Sequence, residues 1–216
     1  MDWKRLIPAF LAYAISLAFH ESAHAWMALR LGDTTGRDLG RITLNPIPHI
    51  DPFGTILLPL FLWWSTNETF MFGYAKPVPY NPYRLRNGPI GASMVAAAGP
   101  LSNFLLAGVG AAMLWFLGKT GAMHFELGEF FFVFLVIVNV GLAIFNLLPI
   151  PPLDGGTVIA GLLPRGPVSR AWGAIEPYGF VILIGLMYLG AVGPLLGVIR
   201  FTIAGALLRW AGVEYF

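Results

Sequence analysis

The sequence predicts an all-α membrane protein: a polytopic helix bundle of about five to six membrane segments, with a short membrane-embedded strand and re-entrant region. Three observations carry that reading. Of the 216 residues, 57% are hydrophobic and only 11% are charged. A soluble domain carries about 45–50% apolar and about 25% charged residues, so this chain cannot cover a water-exposed surface. Apolar stretches near the roughly 20 residues needed to cross a bilayer recur along the chain. Between them lie apolar or proline-broken pieces too short to cross. Mean hydropathy is +0.72.

The composition also excludes functions. With no Cys, a disulfide scaffold, thiolate catalysis and any Cys-ligated zinc or iron–sulfur site are ruled out. The net charge is only +2, with no basic patch, so nucleic-acid binding has no support.

The first apolar stretch runs from about Leu6 to Leu31 and contains His20, Glu21 and His24. It is too long for a removable signal peptide and has no small-residue cleavage site. Gly40 to Pro48 follows, and Pro46 and Pro48 make it a poor helix. A short strand or extended loop is expected there, buried in protein or lining a wet cavity. Phe53 to Trp64 is too short to cross and suits a re-entrant or interfacial piece. A polar loop, Gly73 to Gly88, holds Lys76, Arg84, Arg86 and several prolines. Long spans then run from about Ile90 to Leu117 and from Glu126 to Leu148. A last apolar block, Tyr178 to Ala211, is interrupted at Gly193-Pro194 and reads as a hairpin of two short spans, or one span plus an interfacial helix. Arg200 and Arg209 weaken its second half.

Loop charges set the topology. Arg30, Arg37, Arg41, Lys76, Arg84, Arg86, Arg165 and Arg170 fall on one side if 53–64 does not cross, and Lys4, Arg5 and Lys119 on the other. This places the N-terminus outside and the first helix running inward. A small, Cys-free core points to a prokaryotic plasma membrane.

Chemistry concentrates in His20-Glu21-Ser22-Ala23-His24. On a helix, residues four apart share a face, so both imidazoles reach one metal ion. Glu21 beside them is placed to take a proton from water, as in zinc hydrolases. Inside a bilayer each ionisable side chain costs at least about 2.5–3.5 kcal/mol at the centre, and three so close need a common partner. A catalytic zinc takes three protein ligands. Without Cys, the third must be His, Asp or Glu, and Asp154 is the best candidate. It follows Pro149, Pro151 and Pro152, which break the preceding helix, and precedes Gly155-Gly156, which allow close backbone approach. His49 and Asp51 in a Pro-rich loop, His124 on the far side and Glu176 before Pro177 are weaker candidates.

Three motifs in order, His20 to His24, Ala98-Gly99-Pro100-Leu101-Ser102-Asn103 and Asn146 through Gly156, resemble those of the site-2 protease family of intramembrane zinc metalloproteases. The resemblance covers positions 20 to 156. It implies one Zn2+ per chain on His20, His24 and Asp154, with Glu21 as general acid/base. It implies that Asn146 helps hold substrate backbone or the developing oxyanion. Asn103 matches a polar position of the second motif, and Ile42, Thr43 and Leu44 resemble the strand that pairs with unwound substrate. The expected partners are a transmembrane protein or peptide substrate and the lipid bilayer. The expected organisation is one metalloprotease domain over 1–216 in minimal form, lacking a PDZ or nucleotide-sensing domain. Its motif-bearing core is about 6–160 and its C-terminal membrane segments about 175–212. The alternative is a zinc-binding membrane protein without proteolysis, a degenerate relative or a metal transporter.

Overall fold

A computed structural model describes residues 3–65, 73–121, 126–190 and 192–213. His124 lies outside these residues. The long helices are α1 (Trp3–Arg30), α4 (Pro89–Thr120) and α5 (Glu126–Asn146). Between α1 and α4 come α2 (Thr35–Asp38), a 3-10 turn at Ile47–His49, a π-helical turn at Pro52–Leu57, α3 (Leu58–Ser65) and a second 3-10 turn at Pro82–Arg84. After α5 come α6 (Asp154–Leu162), α7 (Pro167–Ile175), α8 (Gly179–Tyr188) and α9 (Val192–Trp210).

Helix α4 packs on α1, α5 and α6, and α5 also packs on α9. The largest core brings Ala107, Ala111 and Leu114 of α4 against Val136, Val140 and Ile144 of α5 and Ala204 and Leu208 of α9. Alanines on α4 let backbones approach closely, the usual basis of helix association in a bilayer where lipid is as apolar as Leu. A polar spine crosses the other side of α4 and α5. Asn139 donates to Ser16 Oγ at 2.7 Å and to its own helix at Leu135 O, and Asn103 Nδ2 donates to Asn139 Oδ1 at 2.7 Å. Ser16 Oγ donates back to Ala12 O at 2.6 Å. Every link is a satisfied polar group in an apolar setting, so the spine fixes the relative register of three helices.

Three described helical stretches are long and apolar enough to cross a membrane: Pro89–Thr120, Gly128–Asn146 and Pro167–Tyr188. The chain is an integral membrane protein by these spans, but the expected five to six segments are not reached by this measure. Helix α1 has the length, and His20, Glu21 and His24 lower its apolar character. Helix α9 carries Arg200 and Arg209. The final block breaks earlier than expected. The turn is at Leu189-Gly190, where Gly190 has φ 68°, and Pro194 sits in the first turn of α9, where its missing N–H costs nothing.

Among the described residues there is no strand, so of the strand or extended loop expected over Gly40 to Pro48 the loop is what forms. The reason is local. Thr43 Oγ1 accepts from Asn45 N, and Asn45 Oδ1 accepts from Ile47 N. Pro46 and Pro48 donate nothing. Side chains thus satisfy backbone groups that a ladder would have used.

Two polar ties fix the segment 74–81, which passes over α1. Tyr74 N donates to Gly54 O, and Asn81 N donates to Asp33 Oδ2 at 2.8 Å. Asp33 is fully buried and also accepts from Thr35 N and Oγ1. Burial pushes its carboxyl up, but the Thr35 and Asn81 donors outweigh that and hold it below the usual carboxylate range. A depressed folded-state pKa stabilises above the unfolded value of about 3.9, and that contribution is lost as pH falls through the folded value. Asp33→Asn turns an acceptor into a donor facing Asn81 N–H. It is expected to cost about 1–3 kcal/mol. Thermal melts from pH 6 down to pH 2 should show the wild type losing stability at the acid end and the variant losing less; parallel curves would refute this role for Asp33.

Candidate active site

His20, His24 and Asp154 converge. Their ligand atoms all lie within 4.8 Å of one another, and among the described residues they are the one such group of three. Helix α1 supplies both histidines from one face. Asp154 arrives on the first turn of α6 after Pro149, Pro151 and Pro152 unwind the chain beyond Asn146. The fold there needs glycine: a Cβ on Gly155 would lie 2.4 Å from the carbonyl oxygens of both Leu147 and Leu148.

The orientation of the rings tests whether a metal fits. His20 Nδ1 meets Asn103 Oδ1 at 2.6 Å, and His24 Nδ1 meets Val95 O at 2.8 Å. Asn103 Nδ2 is committed to Asn139 Oδ1 and Ser16 O, so its Oδ1 is the acceptor. Both rings therefore carry their hydrogen on Nδ1 and turn a bare Nε2 lone pair inward. These Nε2 atoms stand 3.0 Å apart. Asp154 Oδ2 is 3.1 Å from His20 Nε2, and Oδ1 is 3.5 Å from His24 Nε2. Asp154 Oδ2 is buried with no hydrogen-bond donor. Acceptors this close repel unless a positive charge lies among them. Zinc–nitrogen bonds of about 2.0–2.1 Å in a tetrahedron put ligand atoms about 3.3 Å apart, which these separations bracket. The residues fit zinc, and the Nδ1 hydrogen bonds are the outer partners that orient metal-binding histidines.

Glu21 is buried beside this group and accepts from Val78 N at 3.0 Å. All four residues line one cavity of about 1640 Å³. Its walls are largely apolar: Leu17 on α1, Ile137 and Leu142 on α5, Leu183 and Met187 on α8 and Leu196 on α9. The volume exceeds the roughly 300–1,000 Å³ of small-molecule sites and suits a chain segment. Arg200, which weakened the sequence reading of the last span, stands in this wall.

The other sequence candidates fall in different places. Asn146 lines the cavity, with one amide hydrogen on Leu142 O and a second remaining. Asn103 is fully buried behind His20 and is not among the lining residues, so it holds the ring rather than meeting substrate. Ile42, Thr43 and Leu44 also lie outside the lining. Thr43 O faces inward and accepts from Ser22 Oγ and, at 3.0 Å, from His49 Nε2. His49 thereby ties the loop through Nε2, while its buried Nδ1 has no partner among the described residues. Asp51 caps the Pro52–Leu57 turn through Phe53 N and Gly54 N. Glu176 opens a short 3-10 turn and is exposed.

Sequence reasoning missed Gly99 as a spacer and Val78 as a partner of Glu21. Gly99 had a signal in the second motif. A Cβ there would lie 2.4 Å from His24 Nε2 and 2.7 Å from His20 Cε1. Both rings are held from behind and cannot swing away freely. Gly99→Ala is therefore expected to strip zinc from the folded protein, read by elemental analysis beside an unchanged helical circular-dichroism spectrum. Full zinc occupancy in that variant would refute the packing argument.

Comparison with known proteins places the chain among zinc metalloproteases. Residues 121–186 match the profile of peptidase family M50. The chain is 38% identical over 177 residues to the Bacillus subtilis (strain 168) protein named "Putative zinc metalloprotease YwhC", covering 80% of this chain and 76% of that one. It is 31% identical over 179 residues to "Putative zinc metalloprotease Rip2" of Mycolicibacterium smegmatis, covering 81% of this chain and 64% of the relative. Stage IV sporulation protein FB of B. subtilis is 29% identical over 147 residues, covering 66% of this chain and 46% of that protein. No solved structure gives a significant match.

Proposed function

The chain belongs to peptidase family M50, the site-2 protease family of zinc metalloproteases, and we propose that it hydrolyses peptide bonds inside the transmembrane segments of membrane-protein substrates. The observation that carries this reading is the placement of the His20–His24–Asp154 group and Glu21 on the wall of one large apolar cavity among membrane-spanning helices.

His20, His24 and Asp154 would hold the zinc. The ion, when bound, supplies Lewis acidity, which lowers the pKa of a water and polarises a carbonyl. Glu21 accepts the proton of the attacking water and then delivers it to the leaving amine. Asn146 directs its remaining amide hydrogen at the developing oxyanion. The apolar walls hold the flanking side chains of the substrate and exclude bulk water. A helical substrate hides its carbonyls in its own hydrogen bonds, so it must unwind locally first. Gly and Pro near the scissile bond therefore favour cleavage. With the Arg- and Lys-rich loops read as cytosolic, the centre would lie toward the cytosolic side, and a small Cys-free core fits a prokaryotic plasma membrane, where such an enzyme would serve regulated intramembrane proteolysis.

The test is cleavage of single-span peptides in liposomes, one with a central Gly-Pro and one with Leu throughout. Cuts inside the span, faster with Gly-Pro and abolished by His20→Ala, are expected. A zinc-loaded protein that cuts neither would favour the non-proteolytic alternative.

A further inference from the structure

Lys76-Pro77-Val78-Pro79-Tyr80 crosses α1 beside the metal-binding group, and its chemistry is unusual for a loop. Pro77 and Pro79 have no N–H, so Val78 offers the one main-chain donor between Lys76 and Tyr80. That donor points at Glu21 Oε2, 3.0 Å away. A stretch with alternate donors missing cannot form a ladder with a substrate chain. Proline also restricts the residue before it to extended backbone, so Lys76 and Val78 are stiff.

The stretch is held from behind by Arg41. This side chain is 6% exposed, and its hydrogen bonds among the described residues go to carbonyls. Its guanidinium donates to Pro48 O at 2.9 Å, to Lys76 O and to Pro77 O at 3.2 Å. Lys76 N donates in turn to His49 O at 2.9 Å. Burying a guanidinium to tie three carbonyls is costly unless every link is made. Two of the three links hold Lys76 and Pro77, the residues just before Val78, and the third ties that stretch to Pro48, while Arg41 Nε has no partner among the described residues.

We propose that Val78, fixed by Arg41, is a positioning residue for Glu21: its solitary N–H pins one carboxylate oxygen and so sets the direction in which the other exchanges protons with water and the leaving amine. This rests on the role proposed above for Glu21. The hydrogen bond is made by backbone, so the side chain at 78 is not the active part. Proline at 78 keeps extended backbone, removes the donor and puts its Cδ where the amide hydrogen met Glu21 Oε2, so the carboxylate oxygen must leave its present position.

The test uses the full chain in liposomes with the Gly-Pro single-span peptide. Val78→Pro is compared with Val78→Ala, so that the loss common to both reports the side chain and the excess loss reports a Glu21 carboxylate no longer pinned by the N–H and moved from its place. A misdirected catalytic group costs up to about 100-fold. We expect kcat in Val78→Pro to lie about 10- to 100-fold below Val78→Ala, with equal KM and equal zinc content. Equal kcat values would overturn the proposal. Amide hydrogen exchange supplies a readout independent of turnover, because fragmentation around Pro77 and Pro79 isolates the Val78 amide. It should be protected in the wild type and exchange at least about tenfold faster in Glu21→Ala and in Arg41→Ala. An unprotected Val78 amide in the wild type, or one unchanged by both substitutions, would overturn the proposal even if Val78→Pro does not fold. Glu21→Gln in the same assay separates the two layers. Turnover in that variant refutes the role of Glu21 itself, whereas a silent Glu21→Gln beside equal Val78→Pro and Val78→Ala refutes the positioning alone.

Discussion

Glu21→Gln is expected to keep its zinc and lose catalysis, with kcat down by about 10²- to 10⁴-fold, the usual worth of a general acid–base group. The substitution is nearly isosteric. Its amide oxygen can still accept from Val78 N, which lies 3.0 Å from Glu21 Oε2, so the local backbone should hold. The two Nδ1 hydrogen bonds that orient His20 and His24 do not involve Glu21, and metal affinity should therefore be kept. Only basicity is removed. The measurements are single-turnover cleavage of the Gly-Pro peptide and zinc by elemental analysis on the same sample. Cleavage within a few fold of wild type would refute the assignment of Glu21. Loss of zinc together with activity would show that Glu21 supports the metal group instead.

Asp154→Ala is expected to do the opposite and take the metal away. Only two ring nitrogens, 3.0 Å apart, would remain of the three converging residues. Zinc sites of four ligands bind with about 10–16 kcal/mol, so one ligand is worth roughly 2.5–4 kcal/mol, or two to three orders of magnitude in affinity. Competition with a chelator of known affinity measures this directly. His49 and Asp51 are not part of the converging group: His49 Nε2 donates to Thr43 O and Asp51 caps a turn. Wild-type zinc affinity in the variant would remove Asp154 from the metal group. Folding should survive, because Gly155 and the prolines, not the carboxylate, shape the turn that leads into α6.

Much of the centre was legible because its constraints are local. His20 and His24 lie four apart, and helix geometry alone puts them on one face. Asp154 was legible for a different reason: with no Cys, few ionisable groups lie in apolar surroundings, and each one demands a partner. Of the strand or extended loop read over Gly40 to Pro48, which includes Ile42 to Leu44, the loop is what forms. Extended backbone was foreseen, but Asn45 and Thr43 side chains take the hydrogen bonds that would have made it a ladder. Asn103 was recognised as a special position, and its direction was not. A sequence shows that an amide is present in a span and does not show whether it turns to the cavity or, as here, to the back of His20. The break in the last apolar block was placed at Gly193-Pro194 because proline suggests an ending. Proline in a first turn instead opens a helix, and Gly190 with its positive φ makes the turn.

By itself the sequence determined that this protein lives in a membrane, that its long helices are apolar stretches, and that a histidine pair with an adjacent carboxylate shares a face of the first of them. These follow from composition and from spacing within one helix, quantities that a linear chain carries explicitly. Only the tertiary structure decided how distant residues meet. It closed Asp154 onto the pair across more than a hundred residues, backed His20 with the Ser16–Asn103–Asn139 spine, pressed Gly99 against both rings, and laid the Val78 amide on Glu21. Such contacts depend on helix register and on where a turn lets the backbone return. Those are set by packing over the whole bundle, and no short stretch of sequence encodes them.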